Sequence, residues 1–410
     1  MYLLQAPTEK FNLLPPNTPL ITDEVKFTNN IAYCPKFYWR KHHILQGCVD
    51  VTPKWMAEMR EKRELFRILI VAAGGFGDVM WVMPAVKAIR KKHPRSKILI
   101  AADERTMPIW QSFPYADACV SQDFWNLQNL IRISDEVFDF GGIATMFKNE
   151  MQLEPVEACF KHISWPLPKE KEDMRPHLVL TLDEGKAAEA LLRRNNIDPR
   201  KDKIITIALE SSTPNRDWPY AYSKTLTKSL IKDGYKVVWL SEKKDFGNTF
   251  SLECACGYEW ELTTANPPNI ITFNCPACLS ENEVEDLKHP DGIVNLGGKT
   301  NVRQALAVIA LSDAFIGPCS GLMVAATALK IPTVGIFGAF DSRRIAKYYD
   351  KFLAVEGKAP CKPCKDHWTE CPHGHPAPCM KTIWWQDVKT AVEHVIKLHP
   401  RTAIERIPIE

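Results

Sequence analysis

A single carboxylate, Asp78, stands in a glycine-rich turn, AAGGFGDV, between an apolar run and a helix-like pattern. In this position it can act as a general base that takes a proton from an attacking hydroxyl. It can also cap the helix and meet its positive end, while Gly75 and Gly77 only permit a tight turn. Both roles can hold together. The turn lacks the Lys-Ser/Thr pair of a P-loop and the third glycine of a dinucleotide fingerprint, so neither site is predicted.

Eight of the 13 cysteines fall in two clusters, and clustered cysteines in a reducing compartment bind metal more often than they form disulfides. The first cluster comprises a C-x-C pair, Cys254 and Cys256, and a C-x-x-C pair, Cys275 and Cys278, with eighteen residues between the two pairs. This pattern predicts a zinc ribbon, in which four thiolates close a structural site and stabilise a small fold. Nearby acidic residues disfavour contact with nucleic acid, which is possible but not favoured. A structural or protein-binding role is therefore preferred.

The second cluster comprises Cys361, Cys364, Cys371 and Cys379 within CKPCKDHWTECPHGHPAPC. Four thiolates this close in sequence can bind a second structural zinc. Disulfides and reduced loop cysteines are the alternatives.

The composition is that of a globular protein with room for two domains. The chain has 410 residues, of which 45% are hydrophobic and 25% charged, and a net charge of +3. This charge is too small to indicate a polyanionic partner. Neither a signal-peptide pattern nor an apolar stretch long enough to cross a membrane is found, so we expect a cytoplasmic protein without a transmembrane segment. Residues 1–66, rich in Pro, Asn and aromatics, are expected to form a packed extension.

The element that positions Asp78 belongs to a series in which strands alternate with helices. RILIVAA, KILIAAD, DACVSQ and EVFDFGG predict strands, and residues 79–92 have the apolar spacing of a helix. Such alternation predicts an α/β fold with a parallel sheet. We assign residues 67–177 to a first Rossmann-like domain, whose polar, proline-containing end at 164–177 suggests a linker.

A second series of the same kind is assigned to residues 178–399. The predicted strands are KIITIALESS, KVVWLSE, DGIVNLGG, DAFIGPCSG and TVGIFGAF. Helices are predicted over 219–233, after Thr300, after Gly321 and over 386–398. Residues 246–290, which carry the first cysteine cluster, are an insertion in this domain. Two Rossmann-like domains are expected to face a cleft at the carboxyl ends of their strands, where ligands bind in such folds.

Three segments together resemble a known family. GGFGDVMWVMPAVKAIRKKHP is similar to the opening motif of the heptosyltransferases, glycosyltransferase family 9. NRDWP with its flanking strands, and NLGGKT through GIFGAFD, resemble two further blocks of that family. The resemblance extends over about residues 67–395, apart from the insertion. It implies the GT-B fold, with the acceptor on the N-terminal domain and a nucleotide-sugar donor on the C-terminal domain.

The resemblance also implies roles for individual residues. Asp78 corresponds to the family's proposed base, with Gly75 and Gly77 on the acceptor-side turn. Arg216 stands where the family has a basic residue that contacts the donor phosphates. Further donor-side candidates are Glu242, Lys299, Thr300, Cys319 and the backbone N–H groups of Ser320, Gly321 and Leu322.

Two positions depart from the family pattern: Cys319 replaces an Asp, and Val324 replaces a His. The implied reaction is an inverting transfer from an ADP-heptose-like donor to a hydroxyl of a saccharide, with no catalytic metal. A glycosyltransferase that modifies a macromolecule, such as phage DNA bases or a protein, is a second hypothesis. A non-catalytic scaffold that binds nucleotide sugars or proteins is a third.

Overall fold

The computed structural model describes the backbone and side chains of residues 66–122, 127–141, 153–241, 292–362, 371–374 and 377–401, together with Cys278 and Cys364. It also describes the backbone of residues 124–126 and of strands at 2–5, 31–34, 49–50, 249–253, 259–263, 270–274 and 281–285.

The β-strands of the described regions are, in chain order, β1 (Tyr2–Gln5), β2 (Ile31–Cys34), β3 (Val49–Asp50), β4 (Arg67–Ala72), β5 (Lys97–Ala102), β6 (Ala118–Ser121), β7 (Glu136–Asp139), β8 (Ile204–Ala208), β9 (Lys236–Leu240), β10 (Thr249–Glu253), β11 (Glu259–Thr263), β12 (Ile270–Asn274), β13 (Glu281–Glu285), β14 (Ile293–Asn295), β15 (Ala314–Pro318), β16 (Thr333–Phe337) and β17 (Phe352–Glu356). The α-helices are α1 (Phe76–Lys92), α2 (Met107–Trp110), α3 (Phe124–Ile133), α4 (Pro155–His162), α5 (Leu182–Arg194), α6 (Tyr220–Lys232), α7 (Val302–Ala310), α8 (Gly321–Ala328), α9 (Ser342–Ile345), α10 (Pro378–Lys381) and α11 (Trp385–Leu398).

The chain divides into two compact units, and the first draws on Met1–Gly74, Val86–Met107 and Pro114–Ile143. It contains a parallel sheet with the strand order β6-β5-β4-β7. The central strand β4 is almost wholly buried, as its continuous apolar run predicts. Strands β1, β2 and β3 form a separate antiparallel sheet.

The second unit draws on Gly75–Ala85, Pro108–Phe113 and Ala144–Glu410. Its six-stranded sheet has the order β14-β9-β8-β15-β16-β17, and every neighbouring pair is parallel. The five strands predicted for this series are present. β17 was not predicted, because a short, half-buried edge strand lacks the continuous apolar run of its neighbours.

The core of the second unit lies between its sheet and the helices α6 and α11. Its apolar residues include Ile205, Ile316, Val334 and Val388, which are almost completely buried. Trp239, on β9, donates its indole N–H to the hydroxyl of Thr227 on α6 over 3.0 Å. The two Rossmann-type sheets, one in each unit, are the architecture that the alternating pattern predicts.

The insertion contributes two antiparallel hairpins, β10–β11 and β12–β13. The segments that connect the strands of each hairpin carry the cysteines of the first cluster. Cys278 is exposed. Cys254, Cys256 and Cys275 lie outside the described residues, and so does the donor-side candidate Glu242.

Candidate active site at two helix starts

Asp78 lies in the first turn of α1, and its carboxylate binds back to the glycine turn that precedes the helix. Its Oδ2 accepts a hydrogen bond of 2.8 Å from the backbone N–H of Gly75. The N–H of Val79 in turn donates to the Gly75 carbonyl over 3.1 Å. A Cβ atom on Gly75 would approach Asp78 Oδ2 to 3.1 Å, which is closer than most such contacts. The carboxylate therefore has the helix-capping role that the sequence allows, and it interacts favourably with the positive end of α1.

The starts of α1 and α8 touch through their backbones. A Cβ on Gly321 would lie 2.5 Å from Phe76 Cβ and 3.2 Å from the Gly77 nitrogen. A Cβ on Gly77 would lie 3.6 Å from Val324 Cγ2 and 3.8 Å from the Gly321 Cα. Only glycine fits at position 321, and the contact brings two positive helix ends together. Such a place favours an anion.

Arg216 reaches the residue that precedes the α8 cap. Its Nη1 donates to the Cys319 carbonyl over 2.7 Å, its Nε to Thr213 Oγ1 over 2.6 Å, and its Nη2 to Ser212 Oγ over 2.7 Å. The guanidinium also lies 5.6 Å from the ring centre of Phe340. Burial lowers the pKa of Arg216, and nearby groups that include Asp78 act in the opposite direction. The negative charge of Asp78 therefore favours the charged form of Arg216.

Cys319 contributes its backbone, not its thiol, to this contact. Its carbonyl accepts from Arg216, and its N–H donates to the Ile336 carbonyl over 3.2 Å. Burial raises the pKa of the Cys319 thiol to about 12. The thiol therefore stays protonated near neutral pH, which makes it a poor nucleophile and a poor metal ligand.

Ser320 and Asn215 have buried polar side-chain atoms that form no hydrogen bond within the described part of the protein. Ser320 is the N-cap of α8, makes no side-chain cap bond, and has a buried Oγ without a hydrogen-bond partner. Asn215 is 2% exposed, and neither atom of its side-chain amide has a partner. Unsatisfied buried groups cost free energy, and they concentrate at functional sites. Asn215 was not predicted as a site residue, although it adjoins Arg216 in NRDWP.

Glu154, at the N-cap of α4, was also missed. It is 3% exposed, and its Oε2 accepts from the backbone N–H groups of Val156 and Glu157 over 2.7 and 3.1 Å. Burial raises the pKa of Glu154 to about 8, against these two hydrogen bonds. Burial raises the pKa of the Cys159 thiol well above its ordinary value, and Glu154 and Asp78 act in the same direction.

A pH effect follows for Glu154. Because its pKa is raised from 4.5 to about 8, the protonated form stabilises the fold below 4.5, and this stability is lost as the pH rises through 8. We expect the melting temperature of wild type minus that of Glu154→Gln to decrease as the pH rises from 5 to 9. Scanning calorimetry across this range measures it.

Glu157→Gln, on the same helix, is the matched control. Burial opposes ionisation of Glu157, but its bonds to Lys347 and Tyr348 outweigh this and lower the pKa of the carboxyl. Its stabilising effect is therefore present above the ordinary pKa and lost as the pH falls. Equal pH dependence of the two variants would contradict the assignment for Glu154.

The remaining donor-side candidates lie at two places. Leu322 is half-buried in the first turn of α8. Lys299 donates its ammonium to the Asn295 carbonyl over 2.9 Å, and Thr300 is in the turn before α7. The cap of α7 is Asn301, which forms a capping box with Gln304.

The four cysteines of the second cluster are described. Cys379 is buried, Cys364 and Cys371 are half-buried, and Cys361 is exposed. Burial raises the pKa of the Cys379 thiol, and the Cys361 and Cys371 thiols act in the same direction. Within the described ranges, no group of three or more His, Cys, Asp or Glu side chains is arranged to hold a metal ion.

Comparison with known proteins supports the family resemblance. Glycosyltransferase family 9 (heptosyltransferase) matches residues 269–374. Lipooligosaccharide heptosyltransferase 2 of Campylobacter jejuni subsp. jejuni serotype O:6 is 27% identical over 174 residues, which are 41% of this chain and 53% of that protein. The chain is similar to heptosyltransferases over part of its length. The match spans about half the length of this curated relative.

Solved structures support the fold of the heptosyltransferase-like chain. Escherichia coli ADP-heptose LPS heptosyltransferase II has a TM-score of 0.56 at 17% identity, over 82% of this chain and 100% of that one. The family 9 glycosyltransferase of Veillonella parvula has a TM-score of 0.58 at 13% identity, over 82% and 99%. The dodecameric iron-containing glycosyltransferase TibC of enterotoxigenic E. coli has a TM-score of 0.53 at 13% identity, over 82% and 80%. The expected α/β fold with the parallel sheets of GT-B heptosyltransferases is thereby confirmed.

The described helices of the heptosyltransferase-like chain include none with both the length and the apolar character that crossing a membrane requires.

Proposed function

We propose that this heptosyltransferase-like chain is an inverting glycosyltransferase that transfers a sugar from an ADP-heptose-like donor to a hydroxyl group of a saccharide. One observation carries the proposal. The first turn of α1, which contains Asp78, contacts the start of α8 through Gly77 and Gly321. A carboxylate able to accept a proton thus lies beside a place that favours a diphosphate.

The donor diphosphate is assigned to the start of α8. The backbone N–H groups of Ser320, Gly321 and Leu322 supply donors there, and the buried Ser320 Oγ has no competing partner in the protein. Arg216 satisfies the Cys319 carbonyl, which would otherwise present a negative dipole to the phosphates. Its positive charge also stabilises the diphosphate as it leaves.

The reaction proceeds as a direct displacement. Asp78 takes the proton of the acceptor hydroxyl, whose oxygen forms a bond to the anomeric carbon. The bond between that carbon and the diphosphate oxygen breaks at the same time, so the configuration inverts. The nucleoside diphosphate leaves with the electron pair, and its charge is met by the α8 N–H groups and Arg216. A saccharide acceptor is supported by the name of the Campylobacter relative, a lipooligosaccharide heptosyltransferase.

The test is release of the nucleoside diphosphate from ADP-heptose, with UDP-glucose and GDP-mannose as comparison donors. We expect release of ADP above the rate without protein, stimulated by a lipooligosaccharide core acceptor. Binding of ADP-heptose without release, with or without acceptor, would overturn the enzymatic proposal in favour of a binding scaffold.

We further propose that the two cysteine clusters hold structural metal. The first cluster has the spacing of a zinc ribbon, and the second has four cysteines within nineteen residues. The support for both sites is the spacing in the sequence. Thiolates suit both zinc and iron. TibC is described as iron-containing, so iron is the alternative to zinc for the second cluster.

Metal analysis of the purified protein is expected to find about two ions per chain and about one in Cys371→Ser/Cys379→Ser, as four thiolates per ion require. Cys119→Ser, at a half-buried thiol on β6, is the control and should retain the wild-type content. Zinc and iron are distinguished by the element found. A folded wild-type protein without metal would contradict both assignments.

A further inference from the structure

A buried hydrogen bond joins α1 to the segment between α9 and β17. The indole N–H of Trp81 donates to the hydroxyl of Tyr349 over 3.0 Å. Trp81 is 8% exposed and Tyr349 is 7% exposed. The Tyr349 ring packs edge-on against Phe352, with ring centres 5.4 Å apart. The tyrosine is therefore fixed by packing on one side and offers its hydroxyl on the other.

Trp81 lies on the same surface of α1 as Asp78. The two residues are three positions apart in α1, and such residues are neighbours on one helix surface. The same turn is held at two further points, by the Gly75 N–H on the Asp78 carboxylate and by Gly77 against Gly321. Of these three contacts, the Trp81–Tyr349 bond is the one in which a side chain from outside α1 forms a hydrogen bond with the helix.

We propose that Tyr349 is a positioning residue, which holds the Asp78 carboxylate in a productive orientation toward the start of α8 by way of Trp81. The inference rests on the proposed function, because it assigns Asp78 the role of base. A general base works only when its carboxylate is held at hydrogen-bond distance from the hydroxyl, and small displacements reduce the rate strongly. Tyr349 itself touches no reacting atom in this scheme.

The chemistry of the tyrosine suits this role. Burial raises the pKa of Tyr349 well above its ordinary value, and the Cys319 and Glu154 groups act in the same direction. The hydroxyl thus stays neutral, and it accepts the indole N–H without adding a negative charge near Asp78. A phenylalanine would preserve the ring packing and remove only this bond.

The experiment compares Tyr349→Phe with a matched control elsewhere in the same unit. Thr227→Val removes the hydroxyl that accepts the indole N–H of Trp239, also over 3.0 Å and also buried. Release of ADP from ADP-heptose gives kcat and KM for each variant. Hydrogen exchange of residues 74–82 reports independently on the Gly75 and Val79 amides, whose bonds define the turn.

We expect Tyr349→Phe to lower kcat about tenfold with KM for the donor within about twofold, as loss of orientation predicts. Exchange of residues 74–82 should accelerate, and adding Trp81→Phe to Tyr349→Phe should cause little further loss of kcat. Thr227→Val should leave both quantities at wild-type values.

Three results would overturn the proposal. One is a Tyr349→Phe variant in which kcat and the hydrogen exchange of residues 74–82 both equal those of wild type. Another is a raised KM with unchanged kcat, which would place Tyr349 in substrate binding. The third is an equal loss of kcat in Tyr349→Phe and Thr227→Val at equal melting temperature, which would make the effect one of general stability. If wild type releases no nucleotide from ADP-heptose, the proposed function fails, and the exchange measurement still decides whether Tyr349 holds the turn.

Discussion

Asp78→Asn is expected to lower kcat for glycosyl transfer by about 100- to 10,000-fold, the range that loss of a general base covers. The asparagine keeps an oxygen that can accept from the Gly75 N–H, so the start of α1 should persist. What it loses is the capacity to take a proton. Donor binding, measured by calorimetry with ADP, should change little, because Asp78 is assigned to the acceptor hydroxyl.

Asp103→Asn is the matched control for this charge removal. Asp103 Oδ2 also accepts from a glycine of the turn, in this case the Gly74 N–H over 3.2 Å. It follows β5 and has no role in the proposed reaction. A loss of kcat in Asp103→Asn as large as in Asp78→Asn would show that the turn, rather than a base, limits the rate. Full activity of Asp78→Asn would remove the assignment of the base altogether.

Gly321→Ala is expected to destabilise the fold by about 1–3 kcal/mol, the usual cost of overpacking. Its new methyl group would lie 2.5 Å from Phe76 Cβ and 3.2 Å from the Gly77 nitrogen, so the start of α1 must shift. The same shift separates Asp78 from the start of α8. ADP binding and transfer should therefore both weaken, which distinguishes this variant from Asp78→Asn. Urea unfolding and calorimetry with ADP measure the two effects.

Gly185→Ala provides the control on the same chemical change. Gly185 lies within α5, and a Cβ there would meet nothing within 4 Å. Alanine is favoured over glycine inside a helix by about 0.5–1 kcal/mol, so this variant should be stabilised with unchanged ADP binding. If Gly321→Ala were stabilised equally, the close backbone contact at α8 would be contradicted.

Much of the fold could be predicted because continuous apolar runs identify buried parallel strands without further context. RILIVAA and TVGIFGAF became β4 and β16, and the helix predicted over 79–92 begins at Phe76. The edge strand β17 was not predicted, because its partly buried side chains follow no clear apolar pattern. The assignment of the α8 turn to the donor side rests on the resemblance of its whole block and stays a prediction, since no single residue in it identifies a phosphate site.

The parts of the site that were not predicted from the sequence depend on long-range contacts. Trp81 and Tyr349 are 268 residues apart, and nothing in either segment indicates that they meet. Glu154 follows a segment of mixed apolar and polar residues without a clear pattern, and only its burial in the folded chain makes it unusual. Arg216 was predicted as a phosphate ligand, but that it also binds the Cys319 carbonyl depends on how β8 and β15 pair.

The bond between Arg216 and the main chain at Cys319 has a consequence for how this protein can change. Because the arginine binds a carbonyl that every amino acid possesses, its anchoring does not depend on the identity of the side chain at position 319. Serine, which is close to cysteine in volume and uncharged, can therefore replace Cys319 while Arg216 keeps its bond to the main chain. The side chain at this buried position can thus change during evolution while the hydrogen bond that holds Arg216 is kept.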